Sequence, residues 1–213
     1  TKVLLWSQMH GDEPTATAAI LDMFRFFQAS GDEFDDFRQQ LSEELTIVFI
    51  PMLNPDGAEN FQRRNALGID LNRDALRLSS PEAQLLKRVR DELQADWGFN
   101  LHDQSRYYGA GYPSEEMATL SFLAPAYDFD KNINPGRERA MQVIAQISKD
   151  LQIFIPGRVA RYSDAFEPRA FGDNMQKWGT STILIESGGY FDDPEKQFIR
   201  KLNYVGILSA IEM

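Results

Sequence analysis

The chain has 213 residues, 43% of them hydrophobic and 25% charged, which is enough for one large core and too apolar for a disordered polypeptide. A formal net charge of −10 argues against binding nucleic acid through a broad basic face, and no apolar run approaches the ~20 residues of a membrane-spanning helix. Cysteine is absent, which excludes disulfides, thiolate metal sites and a thiol nucleophile; the only histidines are His10 and His102, so histidine chemistry must use one or both.

Val3–Trp6 reads as a short buried strand. The turn His10-Gly11-Asp12-Glu13 follows, and Pro14 opens a helix that runs to about Gln28, with Ile20, Leu21, Phe24 and Phe27 along one stripe. Gly31 and the acidic stretch Asp32–Asp36 end that helix. Leu45–Ile50 is the next strand, stopped by Pro51, and Asn54-Pro55-Asp56-Gly57 has turn chemistry. Residues 58–78 read as mixed turns rich in Arg and Asn. Ser79 and Glu82 stand at capping-box spacing before a helix lined by Leu85, Leu86, Val89 and Leu93. Phe99–Leu101 and Leu120–Leu123 are further strands, Arg137–Leu151 an amphipathic helix, Ser181–Ile185 a buried strand, and Pro194–Ile211 a final helix. Strands alternating with helices predict an α/β layer fold with a parallel or mixed sheet. The first residue is Thr1, not Met; a preceding segment is expected, and the compartment cannot be read from this end.

The unusual polar residues fall at strand ends. His10 and Glu13 follow the first strand, His102 the third, and Glu186 the Ser181–Ile185 strand. Open α/β sheets bind ligands outside the carboxyl ends of their strands. Two histidines and a glutamate are a zinc set that leaves a fourth position for water. Taken alone, His-x-x-Glu spacing occurs in many proteins, a lone histidine near a strand end is commonly structural, and Glu186 could equally be a surface carboxylate.

The run Arg63-Arg64-Asn65-Ala66-Leu67-Gly68-Ile69-Asp70-Leu71-Asn72-Arg73 is more specific than a generic charged loop. It resembles the Arg-x-Asn-x-x-Gly-x-Asp-Leu-Asn-Arg signature of zinc carboxypeptidases of the carboxypeptidase A type. Asn54-Pro55-Asp56-Gly57, His10-Gly11-Asp12-Glu13, Leu101-His102 and Ile183-Leu184-Ile185-Glu186 resemble other elements of the family, in the family's order, across residues 3–190. The resemblance implies a three-layer α/β/α fold with a mixed, mostly parallel sheet of about eight strands, and one catalytic domain over residues 1–213. It also implies one zinc ion held by His10, Glu13 and His102, with Asp70 accepting a hydrogen bond from His10. Glu186 would be the general base, Arg63 would stabilise the oxyanion, and Asn72 with Arg73 would grip the free carboxylate of a peptide substrate.

Some positions depart from the family pattern. A tyrosine is expected about twenty residues before the catalytic glutamate, but that window reads Ser163-Asp164-Ala165-Phe166-Glu167-Pro168. Phe166 could fill the space without a hydroxyl; Tyr162 has the wrong offset and reads more readily as a packing residue. Asp103, directly after His102, is also unusual for the family. In the region that sets side-chain preference, Phe171 would suit an apolar substrate residue and Asp173 a basic one, and the sequence leaves both open. Three functions follow: a metallocarboxypeptidase acting on C-terminal peptide bonds, a zinc amidohydrolase that deacylates N-acyl amino acids, or a non-catalytic binding domain that retains the fold. The complete signature favours the first.

Overall fold

The computed structural model describes all 213 residues, Thr1–Met213. β1 (Lys2–Ser7) leads into α1 (Thr15–Gln28); α2 (Asp35–Glu44) precedes β2 (Thr46–Ile50); α3 (Pro55–Glu59) and a single 3-10 turn at Leu71–Arg73 lead to α4 (Pro81–Leu93). Then come β3 (Trp97–Asp103), β4 (Leu120–Leu123), α5 (Pro135–Leu151), β5 (Val159–Arg161), α6 (Phe171–Lys177), β6 (Ser181–Ser187) and α7 (Gln197–Glu212). The strands form one sheet in the order β2-β1-β3-β6-β4-β5, parallel throughout except where β4 runs against β6.

Side chains alternate between the two sheet faces and divide the core in two. Val3, Leu5, Phe99, Leu101, Ile183 and Ile185 pack on α1, α2, α5 and α7. Leu4 and Trp6 pack on the other face with Leu86 of α4, Phe171 and Met175 of α6, and Leu71 of the 3-10 turn. These two cores make the expected three-layer architecture. No helix is long and apolar enough to cross a membrane.

The sheet has six strands, not about eight. Residues 60–70 and 104–117 are spent on turns and loops and add no strand to the sheet. β1 is paired on both edges and buried from Val3 to Ser7, but it lies one strand from the edge; β3 and β6 hold the middle.

Three helices and a strand go beyond the sequence reading; one of them is α3, where the Asn-Pro-Asp-Gly turn continues into a short helix capped by Asn54. The acidic stretch after Gly31 starts α2, because Asp35 and Asp36 in its first turn complement the positive end of the helix dipole. α6 and β5 are short pieces whose packing, not periodicity, decides them. The cap of α4 is Ser80, whose Oγ accepts from Ala83 N at 3.3 Å, with Pro81 in the first turn. Ser79 and Glu82 form no capping box: Glu82 instead accepts from Asn65 Nδ2 at 3.2 Å.

Candidate functional site

Even-numbered residues near the ends of β3 and β6 face the α4/α6 side. Asn100 lies beside Leu184 and His102 beside Glu186 in the parallel register. β1 ends one strand away, so its following turn carries His10 and Glu13 to the same rim. Gly11 lets this turn dock: a Cβ there would stand 1.9 Å from the Gly57 carbonyl carbon. Asn54 ties the turn to α3, donating from Nδ2 to Met9 O (3.2 Å) and Arg63 O (3.3 Å) while Oδ1 accepts from Gly57 N (2.9 Å). The Asn-Pro-Asp-Gly segment therefore acts as the bracket between the His10 turn and the Arg63 loop.

His10, Glu13 and His102 bring one donor atom each to within 4.8 Å of the others. Glu13 Oε1 lies 2.7 Å from His10 Nδ1, and Glu13 Oε2 lies 2.7 Å from His102 Nδ1. The two Nδ1 atoms are 3.2 Å apart. A tetrahedral zinc ion with Zn–N bonds of about 2.0–2.1 Å would separate its nitrogens by about 3.3 Å, so the donor set fits zinc by type and spacing. Burial would raise the Glu13 pKa, but the charge of His102 and the hydrogen bonds from both imidazoles outweigh it and hold the carboxyl well below the usual range. The pKa of His10 is raised: burial lowers it, but hydrogen bonds to Asp70 and Glu13 prevail.

The loop before the 3-10 turn is shaped by its own side chains. Asn65 Oδ1 accepts from Leu67 N and Ile69 N, and Gly68 takes φ +74°, a conformation glycine adopts without Cβ strain. Asp70 then lies beneath His10, with Oδ1 3.3 Å from Nε2, and its Oδ2 accepts from Arg63 Nε at 2.9 Å. Placing the Nε2 proton toward Asp70 leaves the Nδ1 lone pair facing Glu13, His102 and, at 3.1 Å, Arg63 Nη1, the tautomer a ligand needs. Burial opposes ionisation of Asp70, yet the His10 hydrogen bond and the Arg63 charge keep it well below its ordinary pKa. Asn72 Oδ1 accepts from Phe171 N at 2.9 Å, and Ala75 N donates to Arg169 O at 3.2 Å, stitching this loop to the segment before α6. Arg73 is paired with Glu167 at 3.3 Å and is 39% exposed.

All seven expected site residues line one cleft of about 440 Å³: His10, Glu13, His102, Glu186, Arg63, Asn72 and Arg73. Burial pushes the Glu186 pKa up to about 7; His102 opposes the rise, and the Glu13 and Asp103 charges add to it. Tyr162 and Phe166 both line the cleft. Tyr162 packs edge-on to Tyr108 yet remains at the cleft wall, and burial followed by the Glu186 charge pushes its phenol up to about 12. Asp103 extends β3 past His102; its N–H donates to Glu13 Oε2 at 3.2 Å, and its carboxylate accepts from Lys196 and Thr15.

The sequence reading missed Asn100 altogether. A polar residue in the apolar run Phe99-Asn100-Leu101-His102, two positions before a candidate ligand and hence on its face, was the available signal. Lys196 was also missed: it bridges Asp103 Oδ2 (2.9 Å) and Ser187 O (3.0 Å), at the ends of the two middle strands, and nothing in its sequence context marks it.

A histidine–carboxylate–histidine set at the carboxyl rim of an α/β sheet is the arrangement of the metal-dependent hydrolases. Comparison with known proteins gives the family. The sequence profile described as zinc carboxypeptidase matches residues 1–116, over half of the chain, and the chain belongs to that family. A probable carboxypeptidase 2 from Trichophyton verrucosum is 27% identical over 153 residues, covering 70% of this chain and 27% of that protein. The fold is similar to that of a metallo-carboxypeptidase from Burkholderia cenocepacia (TM-score 0.72, 18% identity, 99% of this chain and 56% of that one). It is also similar to that of a succinylglutamate desuccinylase/aspartoacylase from Rhodobacter sphaeroides (TM-score 0.63, 19% identity, 99% of this chain and 54% of that one). The chain thus spans about a quarter of the curated relative and just over half of each structural neighbour.

Proposed function

We propose that the chain is a zinc-dependent carboxypeptidase that hydrolyses the C-terminal peptide bond of peptides. The observation that carries this reading is the sharing of one cleft by the His10–Glu13–His102 set, the Glu186 carboxylate and the Asn72–Arg73 pair. When bound by His10, Glu13 and His102, zinc supplies Lewis-acid polarisation and makes water a nucleophile near neutral pH. Glu186 takes a proton from the attacking water onto its carboxylate and returns it to the leaving amine. A pKa of about 7 suits a group that must do both near neutrality. Arg63, anchored by Asp70 through Nε, with Nη1 3.1 Å from His10 Nδ1 at the edge of the ligand set, and 42% exposed, offers its guanidinium to the oxyanion developing on the scissile carbonyl. Asn72 and Arg73 hold the substrate's terminal carboxylate. The guanidinium fork matches that group in shape and charge, and this contact places the last peptide bond at the metal.

The test is zinc analysis of the purified chain together with a panel of peptides and N-acyl amino acids. Zinc binding with release of C-terminal amino acids supports the reading. Hydrolysis of N-acyl amino acids alone makes the chain a deacylase, and stoichiometric zinc with neither activity makes it a binding domain.

A further inference from the structure

Lys196 breaks two local rules at once. It stands just before α7 with φ +55°, a left-handed conformation that residues with a side chain rarely adopt. It also sets a cation at the amino end of a helix, where the dipole favours anions. The group it meets there is a second exception. Asp103 directly follows a candidate metal ligand, its side chain is only 10% exposed, and its Oδ1 has no hydrogen-bond partner. Lys196 Nζ donates to Asp103 Oδ2 at 2.9 Å. A buried ion pair is a weak source of stability, and well-packed apolar residues commonly serve as well. Departures from local preference gather at functional sites, and here two of them meet at the rim of the candidate site.

The pair reaches every group whose placement the proposed hydrolysis depends on. Asp103 N–H donates to Glu13 Oε2 at 3.2 Å. Asp103 Oδ2 also accepts from Thr15 Oγ1 at 2.6 Å, and Thr15 opens α1 two residues after Glu13. Asp103 thus holds Glu13 twice, by its carboxylate and by the helix start behind it. His102 is the preceding residue of the same strand. Lys196 Nζ makes its second bond to Ser187 O at 3.0 Å, and Ser187 follows Glu186. Asp103 and Ser187 are the last pair of the β3–β6 ladder, so the ion pair clamps that ladder at the end carrying His102 and Glu186.

The fold has other means of joining these elements. The ladder from Trp97–Ser181 onward holds β3 to β6, Arg200 grips Asp22 through two bonds between α7 and α1, and Asn203 Nδ2 donates to Ser187 Oγ at 2.8 Å. What Lys196 and Asp103 add is confined to the rim. We propose that they are positioning residues for the candidate zinc site: with Thr15 they set Glu13 against His102 and hold both against Glu186. This rests on the zinc reading above. Their charges are committed to each other, so they act through the groups they hold.

The experiment compares the wild type with Lys196→Met and Lys196→Arg. It measures zinc affinity by competition with a chelator, the visible spectrum of the cobalt(II)-loaded chain, and thermal unfolding of the metal-free chain. Lys196→Met keeps an unbranched stem and removes the charge. Partners that orient metal ligands are worth about 10–100-fold in affinity or activity, so zinc binding should weaken by that factor. The cobalt bands, which report ligand geometry, should shift. Lys196→Arg, which keeps the cation, should recover most of both. In peptide hydrolysis kcat should fall about tenfold or more while KM changes little, since Asn72 and Arg73 stand on another segment.

A Lys196→Met chain that melts earlier, yet matches the wild type in zinc affinity and cobalt spectrum, overturns the proposal and leaves the pair purely structural. Tighter zinc binding in Lys196→Met also overturns it, because that is the sign expected of a cation that only repels the metal. Thr15→Val removes the bond from α1 to Asp103 alone and decides the matter where Lys196→Met does not fold: zinc binding about tenfold weaker supports the proposal, and unchanged affinity overturns it. The metal readouts need no turnover, so they stand even if no peptide is cleaved. A wild-type chain that binds neither metal overturns the proposal together with the zinc reading.

Discussion

Replacing Gly11 by alanine adds one methyl group between the His10 turn and α3. That methyl would stand 1.9 Å from Gly57 C, 2.3 Å from Ala58 N and 2.3 Å from Gly57 O. All three are backbone atoms, and ordinary contact begins at 3.4 Å, so α3 must retreat by about 1.5 Å. Overpacking costs about 1–3 kcal/mol where side chains can give way. Here two backbone segments must part, and the bonds that Asn54 makes to Met9, Arg63 and Gly57 stretch with them, each worth about 1 kcal/mol. The sum is about 4–6 kcal/mol, a fall in Tm of about 8–24 °C for a domain of this size. Gly31→Ala is the control: Gly31 has φ +80° and nothing within 4 Å of its Cβ position, so it carries only the conformational cost of about 1–2 kcal/mol. Urea and thermal unfolding of the two variants, followed by circular dichroism, measure the difference. If Gly11→Ala costs no more than Gly31→Ala, the two turns are not packed as described, and the bracket role of Asn54 falls with that packing.

Glu186→Gln should abolish turnover while elemental analysis still finds zinc, because the amide keeps the shape but cannot accept a proton. Arg73→Ala should lower kcat/KM for peptides with a free C-terminal carboxylate by about 10- to 150-fold, the worth of a charge-assisted contact of about 1.5–3 kcal/mol; equal losses for amidated peptides would remove Arg73 from the carboxylate clamp. Zinc at a hundred times its Kd should stabilise the chain by about 2.7 kcal/mol, raising Tm by about 5–11 °C, and a chelator should reverse the shift in calorimetry. Asp173 binds its proton more tightly folded (pKa about 6) than unfolded (near 3.8), so the folded state holds more protons between those pH values and stability falls as pH rises through them. Asp173→Asn should therefore gain on the wild type by roughly 2–3 kcal/mol between pH 4 and 6 in urea unfolding, and parallel pH profiles would count against a buried, unpaired carboxyl.

The candidate metal set was legible because its residues are scarce: two histidines in the chain, one just after the first strand and one near the end of the third, with Glu13 three residues from the first. Strand alternation also placed His102 and Glu186 correctly, since a parallel register needs only matched strand ends. The strand count was not legible. It came from resemblance, and no residue pattern in the chain called for eight. α2 was missed because Phe34, Phe37 and Leu41 give too narrow a stripe among acids and glutamines. α6 was missed because a seven-residue helix has no measurable period; its buried Asp173, Asn174 and Gln176 read as surface residues until the packing is known. Asn100 was hidden by its neighbours, which mark a strand so plainly that one amide within it passed as noise.

The two kinds of work in the cleft rest on parts of the fold that open on different timescales. His102 and Glu186 are cross-strand neighbours at the end of a ladder running from Trp97–Ser181 to Asp103–Ser187. Their separation changes only if the middle of the sheet comes apart, an event close to global unfolding. Arg73 and Glu167 stand on loops joined by the Phe171 N–H to Asn72 Oδ1 bond and the Ala75 N–H to Arg169 O bond. Breaking those two bonds is a local fluctuation. Native-state hydrogen exchange at the Phe171 and Ala75 amides should therefore run far ahead of exchange at Phe99 and Leu101. On the carboxypeptidase reading proposed above, the side of the cleft that would grip the substrate's carboxylate can loosen while Glu186 and His102 stay in register.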